Sequence, residues 1–128
     1  MIKKRRLTLR IITPNQIIND SNHESIQLPG FFGSFTILPD HENYFGLLKA
    51  GIVSVTNNYR SSYHCIISQS FFQFHNAKNI CEIMSEYATL DLQIEDLEQD
   101  ITKKIKNSNN QNEKDFYKVK LLYKNKTI

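Results

Sequence analysis

The stretch Leu28-Pro29-Gly30-Phe31-Phe32-Gly33-Ser34-Phe35-Thr36-Ile37-Leu38-Pro39-Asp40-His41 decides how the rest of the chain is read. Pro29-Gly30 is a turn signal between two strands. Gly33 permits a backbone conformation or a close approach that a side chain would forbid, and Pro39 ends a strand over 35–38 because it has no amide proton to give a ladder. The same cadence runs on either side. Thr13-Pro14-Asn15, Lys49-Ala50-Gly51 and Asn57-Asn58 separate runs of about five to seven residues rich in Ile, Val, Thr, Phe and Tyr. Leu7, Leu9 and Ile11 fall on one face of the first run, with Thr8 and Arg10 on the other. Ile52 to Val55, Tyr63 to Ile67, and Phe72 with Phe74 continue the pattern. Short strands with one apolar face each need a second sheet to cover them, so residues 1–88 are expected to form a two-sheet β-sandwich.

All four Gly and all three Pro precede Thr89, and after it the apolar period lengthens. Leu90, Ile94, Leu97, Ile101 and Ile105 lie along one stripe of a helix, with Thr89 expected as its N-cap. Asp91, Glu95, Asp96, Glu98 and Asp100 precede Lys103, Lys104 and Lys106, the order that the helix dipole favours. Asn107 to Asn112 is a polar break, and Phe116, Val119, Leu122 and Tyr123 mark a second helix. Residues 89–128 are therefore expected to form an antiparallel helical hairpin, mobile because each helix alone is marginal.

Composition removes several function classes. The 128 residues carry a formal charge of +3, but Lys3, Lys4, Arg5 and Arg6 supply four of the 16 basic residues, leaving 12 against 13 acidic ones. No basic stripe suited to nucleic acid remains. No run approaches the ~20 apolar residues of a membrane span, and no cleavable leader is expected. Cys65 and Cys81 form no C-x-x-C pair and the four His have no ligand spacing, so neither a metal nor any other cofactor is expected. His64 and Cys65 are strand neighbours that point to opposite faces, which prevents a thiol–imidazole pair. His41 lies in a turn beside Asp40 and Glu42 with no second His or Cys at ligand spacing. No catalytic residue is assigned. The chain reads as a binding or structural protein; the alternative is a free-standing β-sandwich ligand-binding module using Phe31, Phe32, Tyr44 and Phe45.

The segment Leu28–His41 resembles the L-P-G-x-x-G-x-F-x-I-L-P-x-H pattern of the epsilon chain of rotary F-type ATP synthases, called delta in mitochondria. Leu48-Lys49-Ala50-Gly51-Ile52-Val53 is similar to that family's next strand entry, and Leu9 to Asn15 to its first strand and turn. The resemblance implies a non-catalytic rotor subunit that links the gamma shaft to the membrane ring. It implies that Phe31, Phe32, Ser34 and His41 approach the ring or gamma, with Pro29, Gly30, Gly33, Pro39 and Gly51 as structural turns. It further implies that the hairpin can inhibit ATP hydrolysis, with Lys114, Lys118, Lys120 and Lys124 meeting acidic loops of the catalytic beta chains. Membrane association would come only through the complex, on the cytoplasmic face of a bacterial inner membrane or, alternatively, the matrix side of an organelle's. The family's nucleotide-binding motif is broken here, because Gln93-Ile94 follow Leu90-Asp91 where the motif has arginine.

Overall fold

A computed structural model describes residues 5–57, 60–90 and 98–126. The strands are β1 (Leu7–Ile12), β2 (Ile17–His23), β3 (Ser25–Gly30), β4 (Gly33–Ile37), β5 (Tyr44–Leu48), β6 (Gly51–Asn57), β7 (Arg60–Ile67), β8 (Ser70–His75), β9 (Ile80–Ser85) and β10 (Ala88–Leu90). A short 3-10 turn, Asn76–Lys78, joins β8 to β9, and two helices follow, α1 (Glu98–Asn107) and α2 (Gln111–Lys126). The fold is the expected β-sandwich with a helical hairpin.

Hydrogen bonding runs through one continuous sheet in the order β10-β7-β6-β3-β5-β8-β9-β1-β2, with β4 on β3. The two halves are joined by very little. Gly30 pairs with Leu48, and the Lys49 amide donates to the Pro29 carbonyl at 3.0 Å. Pairing is antiparallel throughout except for β1 beside β9. Alternation fixes the faces: Leu7, Leu9 and Ile11 are fully buried, as their period predicts, and meet Val53, Val55, Phe72, Phe74 and Ile83 in one core. Burying each such side chain is worth about 1.5–3 kcal/mol.

The sheet extends past the expected change of regime. Ala88, Thr89 and Leu90 pair with Ile67, Ile66 and Cys65, and Leu90 packs against the sandwich core. Thr89 is thus a strand residue rather than a helix cap, and Leu90 belongs to the sandwich rather than to the helical stripe. The apolar period misled because a three-residue edge strand is too short to show alternation. Asp91, Ile94, Glu95, Asp96 and Leu97 lie outside the described residues, as does Asn58 of the expected Asn57-Asn58 turn.

In α1, Glu98 and Asp100 open the helix and Lys104 and Lys106 close it, in the order set by its dipole. Asn110 caps α2: its side-chain oxygen accepts from the Asn112 and Glu113 amides at 2.9 and 3.2 Å. α2 packs on α1 and on the outer side of β6 and β7. There Ile66, on the face of β7 opposite Cys65 and Ile67, is fully buried, as is Ile101 of α1. Among the described residues no helix is long and apolar enough to cross a membrane.

Candidate functional site

A groove between β4 and β5 links two features of the sandwich edge, the β3–β4 tip at the Leu48 end of β5 and the loop after β4 at its Tyr44 end. The tip departs from the expected turn. Pro29 and Gly30 finish β3, and the reversal itself is made by Phe31 and Phe32, with Gly30 opposite Gly33. Gly33, at φ +126°, takes the backbone conformation that β-carbons disfavour, so both phenylalanines keep negative φ. Gly30 is needed for a different reason: a β-carbon there would sit 2.7 Å from the Gly33 carbonyl oxygen. Gly51 opens β6 against Pro29, whose ring would lie 2.7 Å from a β-carbon at that position. Phe32 and Phe31 project into solvent, and Ser34 is exposed beside them.

Leu38-Pro39-Asp40-His41 is a hydrogen-bonded turn. The His41 amide donates to the Leu38 carbonyl at 3.2 Å, with Pro39 at its second position and Asp40 at φ +69° at its third. The Asp40 carboxylate accepts from Asn79 Nδ2 at 3.2 Å and from Arg5 Nη1 at 2.9 Å. The Asn79 bond first and the Arg5 guanidinium after it, against an opposing desolvation effect, hold this carboxyl below its ordinary 3.8. The His41 ring is half-buried against Tyr44 and Phe74, with centroids 6.0 and 5.9 Å away. Tyr44 in turn meets Phe35 and Phe72 at 5.9 and 5.5 Å. It lines an open groove of about 790 Å³ together with Phe31, Phe32, Ser34 and Phe35. Phe31, Phe32 and Ser34 therefore share one groove, and His41 adjoins it through Tyr44.

The four lysines of α2 do not share one environment. Lys118 is exposed, Lys114 and Lys124 are half-buried, and Lys120 is only 8% exposed. The ammonium of Lys120 lies 5.7 Å from the Tyr117 ring centre, and Lys104 of α1 is 5.2 Å from the same ring. Lys120 is thus turned toward the sandwich in this arrangement, beside Glu86, Tyr87, Thr89 and Phe116.

Two surfaces escaped sequence reasoning. The first is the junction of hairpin and sandwich. Tyr87 donates its hydroxyl proton to Glu113 at 2.9 Å and stacks on Phe116, centroids 5.6 Å apart. Glu86 accepts from the side-chain amides of Asn110 and Asn112 at 3.4 and 3.1 Å, and the Gln69 amide donates to Asn112 at 3.0 Å. The Glu113 bond first, then burial and the neighbouring carboxylate charges, push Tyr87 up to about 12. The second surface is the outer face of β5, β8, β9, β1 and β2. Register aligns Leu47, Phe71, Met84, Ile12 and Ile17 in one cross-strand row. Leu47, Met84 and Ile17 are exposed, and so is Phe45, whose ring lies 6.4 Å from that of Phe71. At the usual ladder spacing the row is about 19 Å across. The neighbouring row carries the Arg10–Glu82 ion pair at 3.9 Å.

Cys65 lies in the core, whereas His64 faces α2, 3.5 Å from the Tyr123 hydroxyl. Among the described residues no three His, Cys, Asp or Glu side chains stand close enough to hold a metal ion.

Comparison with known proteins agrees with the fold. Residues 6–90 match the family described as ATP synthase, Delta/Epsilon chain, beta-sandwich domain. An ATP synthase epsilon chain of Campylobacter concisus (strain 13826) is 43% identical over 56 residues, covering 43% of either chain. That of Sulfurovum sp. (strain NBC37-1) is 29% identical over 75 residues, covering 59% of either chain. The chain thus matches about half the length of these relatives. In fold it is similar to a chain of the Euglena gracilis mitochondrial ATP synthase OSCP/F1/c-ring structure. That likeness has a TM-score of 0.68 at 16% identity and covers 94% of this chain and 81% of the other.

Proposed function

Because the chain belongs to the ATP synthase delta/epsilon family, we propose that it is a non-catalytic subunit of a central stalk, clamping a gamma shaft to a membrane ring. The observation that carries this reading is the contrast between the sandwich's outer sides. One is closed by the chain's own hairpin, and the other presents an apolar row with a protruding aromatic tip at its end. The row suits the gamma chain, since large apolar side chains flanked by polar ones are the usual core of a lasting interface. The tip with Phe31, Phe32 and Ser34, and the His41 loop that adjoins its groove through Tyr44, suit the ring's polar loops or the part of gamma beside them. Torque then passes through a rigid sandwich rather than through the hairpin. Attachment to the membrane follows from the complex, on the cytoplasmic face of a bacterial inner membrane or the matrix side of an organelle's.

We further propose that the hairpin can leave this docked position to restrain ATP hydrolysis, with the sandwich through Leu90 of β10 as the fixed unit and the helices after it as the movable one. Lys114, Lys118, Lys120 and Lys124 would then face acidic loops of catalytic beta chains. Release breaks the Tyr87, Glu86 and Gln69 bonds and uncovers Phe116 and Ile66, at a cost of roughly 5–10 kcal/mol before the hairpin's regained freedom offsets part of it. Contacts in the released state must make up that difference. Co-purification with its gamma chain tests the clamp, and a chain that stays monomeric beside gamma removes it. Truncation after Leu90, which spares β10, tests inhibition: hydrolysis by the reassembled soluble complex rises if the hairpin restrains it, and an unchanged rate refutes the restraint.

A further inference from the structure

The loop that carries His41 is held more completely than an exposed loop requires. Water can satisfy the main chain of a surface loop, so side-chain partners there are optional. In this loop every main-chain polar group of Asp40 and His41 has a partner within the chain. The Asp40 amide donates to Asn79 Oδ1 at 2.6 Å, and the His41 amide to the Leu38 carbonyl at 3.2 Å. The Asp40 and His41 carbonyls both accept from Asn76 Nδ2, at 3.1 and 2.7 Å. Asn76 is itself fixed, because its amide donates to Asn43 Oδ1 at 2.7 Å. Asn79 is buried, and its carbonyl accepts from the Thr8 amide of β1 at 2.9 Å.

The clamp between Asp40 and Asn79 is reciprocal. One amide side chain accepts from the Asp40 backbone and donates to the Asp40 carboxylate, to which Arg5 adds a third contact. Both residues occupy the left-handed region, at φ +69° and +52°, where Asp and Asn are tolerated better than most side chains. The corner between β8 and β9 is thus built to grip a loop that lies 39 residues earlier in the chain.

We propose that Asn79 and Asn76, braced by Asn43, are positioning residues that hold the His41 loop in the shape that binds gamma. The inference rests on the reading of the His41 loop as a contact surface. It adds that the shape is fixed before the partner arrives, which spares the ordering cost of association. Through the contacts of His41 with Tyr44, the same grip sets one wall of the aromatic groove.

Asn79→Gly is the decisive variant, because glycine keeps the left-handed backbone and removes only the two side-chain bonds. Amide chemical shifts and order parameters of Asp40 and His41 in the full chain report the grip. Calorimetric titration with the gamma chain reports its purpose, and thermal unfolding reports the fold. Asn79→Gly and Asp40→Gly are expected to loosen residues 40–41, to weaken gamma binding about tenfold and to leave the melting temperature nearly unchanged. Asp40→Asn, which retains both bonds to Asn79, restores most of the affinity lost in Asp40→Gly. A loop that stays ordered in Asn79→Gly overturns the grip, and a loosened loop with wild-type affinity overturns the positioning role. If the wild-type chain does not bind gamma, the functional reading fails by itself, and the order parameters still decide whether the asparagines hold the loop.

Discussion

On the outer side of β6 and β7, Ile66 is buried beneath α2, and the junction is closed by hydrogen bonds from Tyr87, Asn110, Asn112 and Gln69. On the outer side of β5, β8, β9, β1 and β2, the row from Leu47 to Ile17 spans five strands with apolar side chains, yet among the described residues Leu47, Met84 and Ile17 stay exposed. The covered side has the more polar seam and the bare side the more apolar surface. This is the reverse of what stability within the chain alone would favour. A seam of hydrogen bonds over a small apolar contact can be exchanged for other polar contacts of similar worth, whereas a broad apolar row suits a partner that stays. On the proposed function, the two sides thus divide a reversible contact from a permanent one.

The strongest way to break this division is to weaken the apolar part of the seam. Phe116 is 5% exposed and stacks on Tyr87, so Phe116→Ala is expected to cost about 3–5 kcal/mol of docking. Hydrogen exchange should rise across α1 and α2 while β1, β8 and β9 keep their protection. Equal losses in sandwich and hairpin would show the two to be one cooperative unit and the seam not to be a separable contact.

On the bare side the matching change is Phe71→Glu, at the centre of the row. A half-buried aromatic becomes a charge that water solvates in the free chain but that an apolar partner would desolvate. Binding to gamma should fall about a hundredfold, with little change in melting temperature. Wild-type affinity in this variant would move the gamma contact elsewhere and leave the row without a role.

Both sides were only partly legible in the sequence, for a common reason. Alternation in Leu7 to Ile12 assigns each residue a face, and Pro39 and Gly33 mark where strands end, because these are local properties of the backbone. The bare row depends on the register of five strands, and no one of them reveals it: Met84 and Ile17 become neighbours only through Ile12. The seam is similar. Ile66 sits in a run where Cys65, Ile67 and Ser68 are also buried, so period two is lost once the second face is covered as well. Asn110 and Asn112 read as a polar break, and they are a helix cap and a dock. Asn76 and Asn79 gave no signal at all, since an asparagine's choice of partner 39 residues away leaves no local pattern.

The smallest expected effect separates the polar part of the seam from the apolar part. Tyr87 ordinarily titrates near 10 and is pushed up to about 12, chiefly because its hydroxyl donates to the Glu113 carboxylate. A phenol whose folded value is raised contributes to docking fully below its unfolded value, and that contribution is lost as pH rises through the folded one. The hairpin is therefore insensitive to this group at neutral pH and loses the bond between about pH 10 and 12. Glu113→Gln removes the carboxylate charge while keeping a hydrogen-bonding side chain, so the Tyr87 phenolate should form closer to pH 10. Docking at neutral pH should weaken by only about 1 kcal/mol. A difference titration of phenolate absorbance between wild type and Glu113→Gln reads the first quantity, and hydrogen exchange in α2 at neutral pH reads the second. A lowered midpoint without loss of protection would assign the docking to Phe116, Ile66 and Ile101. An unchanged midpoint would show that the Tyr87–Glu113 bond does not form in solution, leaving Glu86 and its two asparagines as the polar half of the seam.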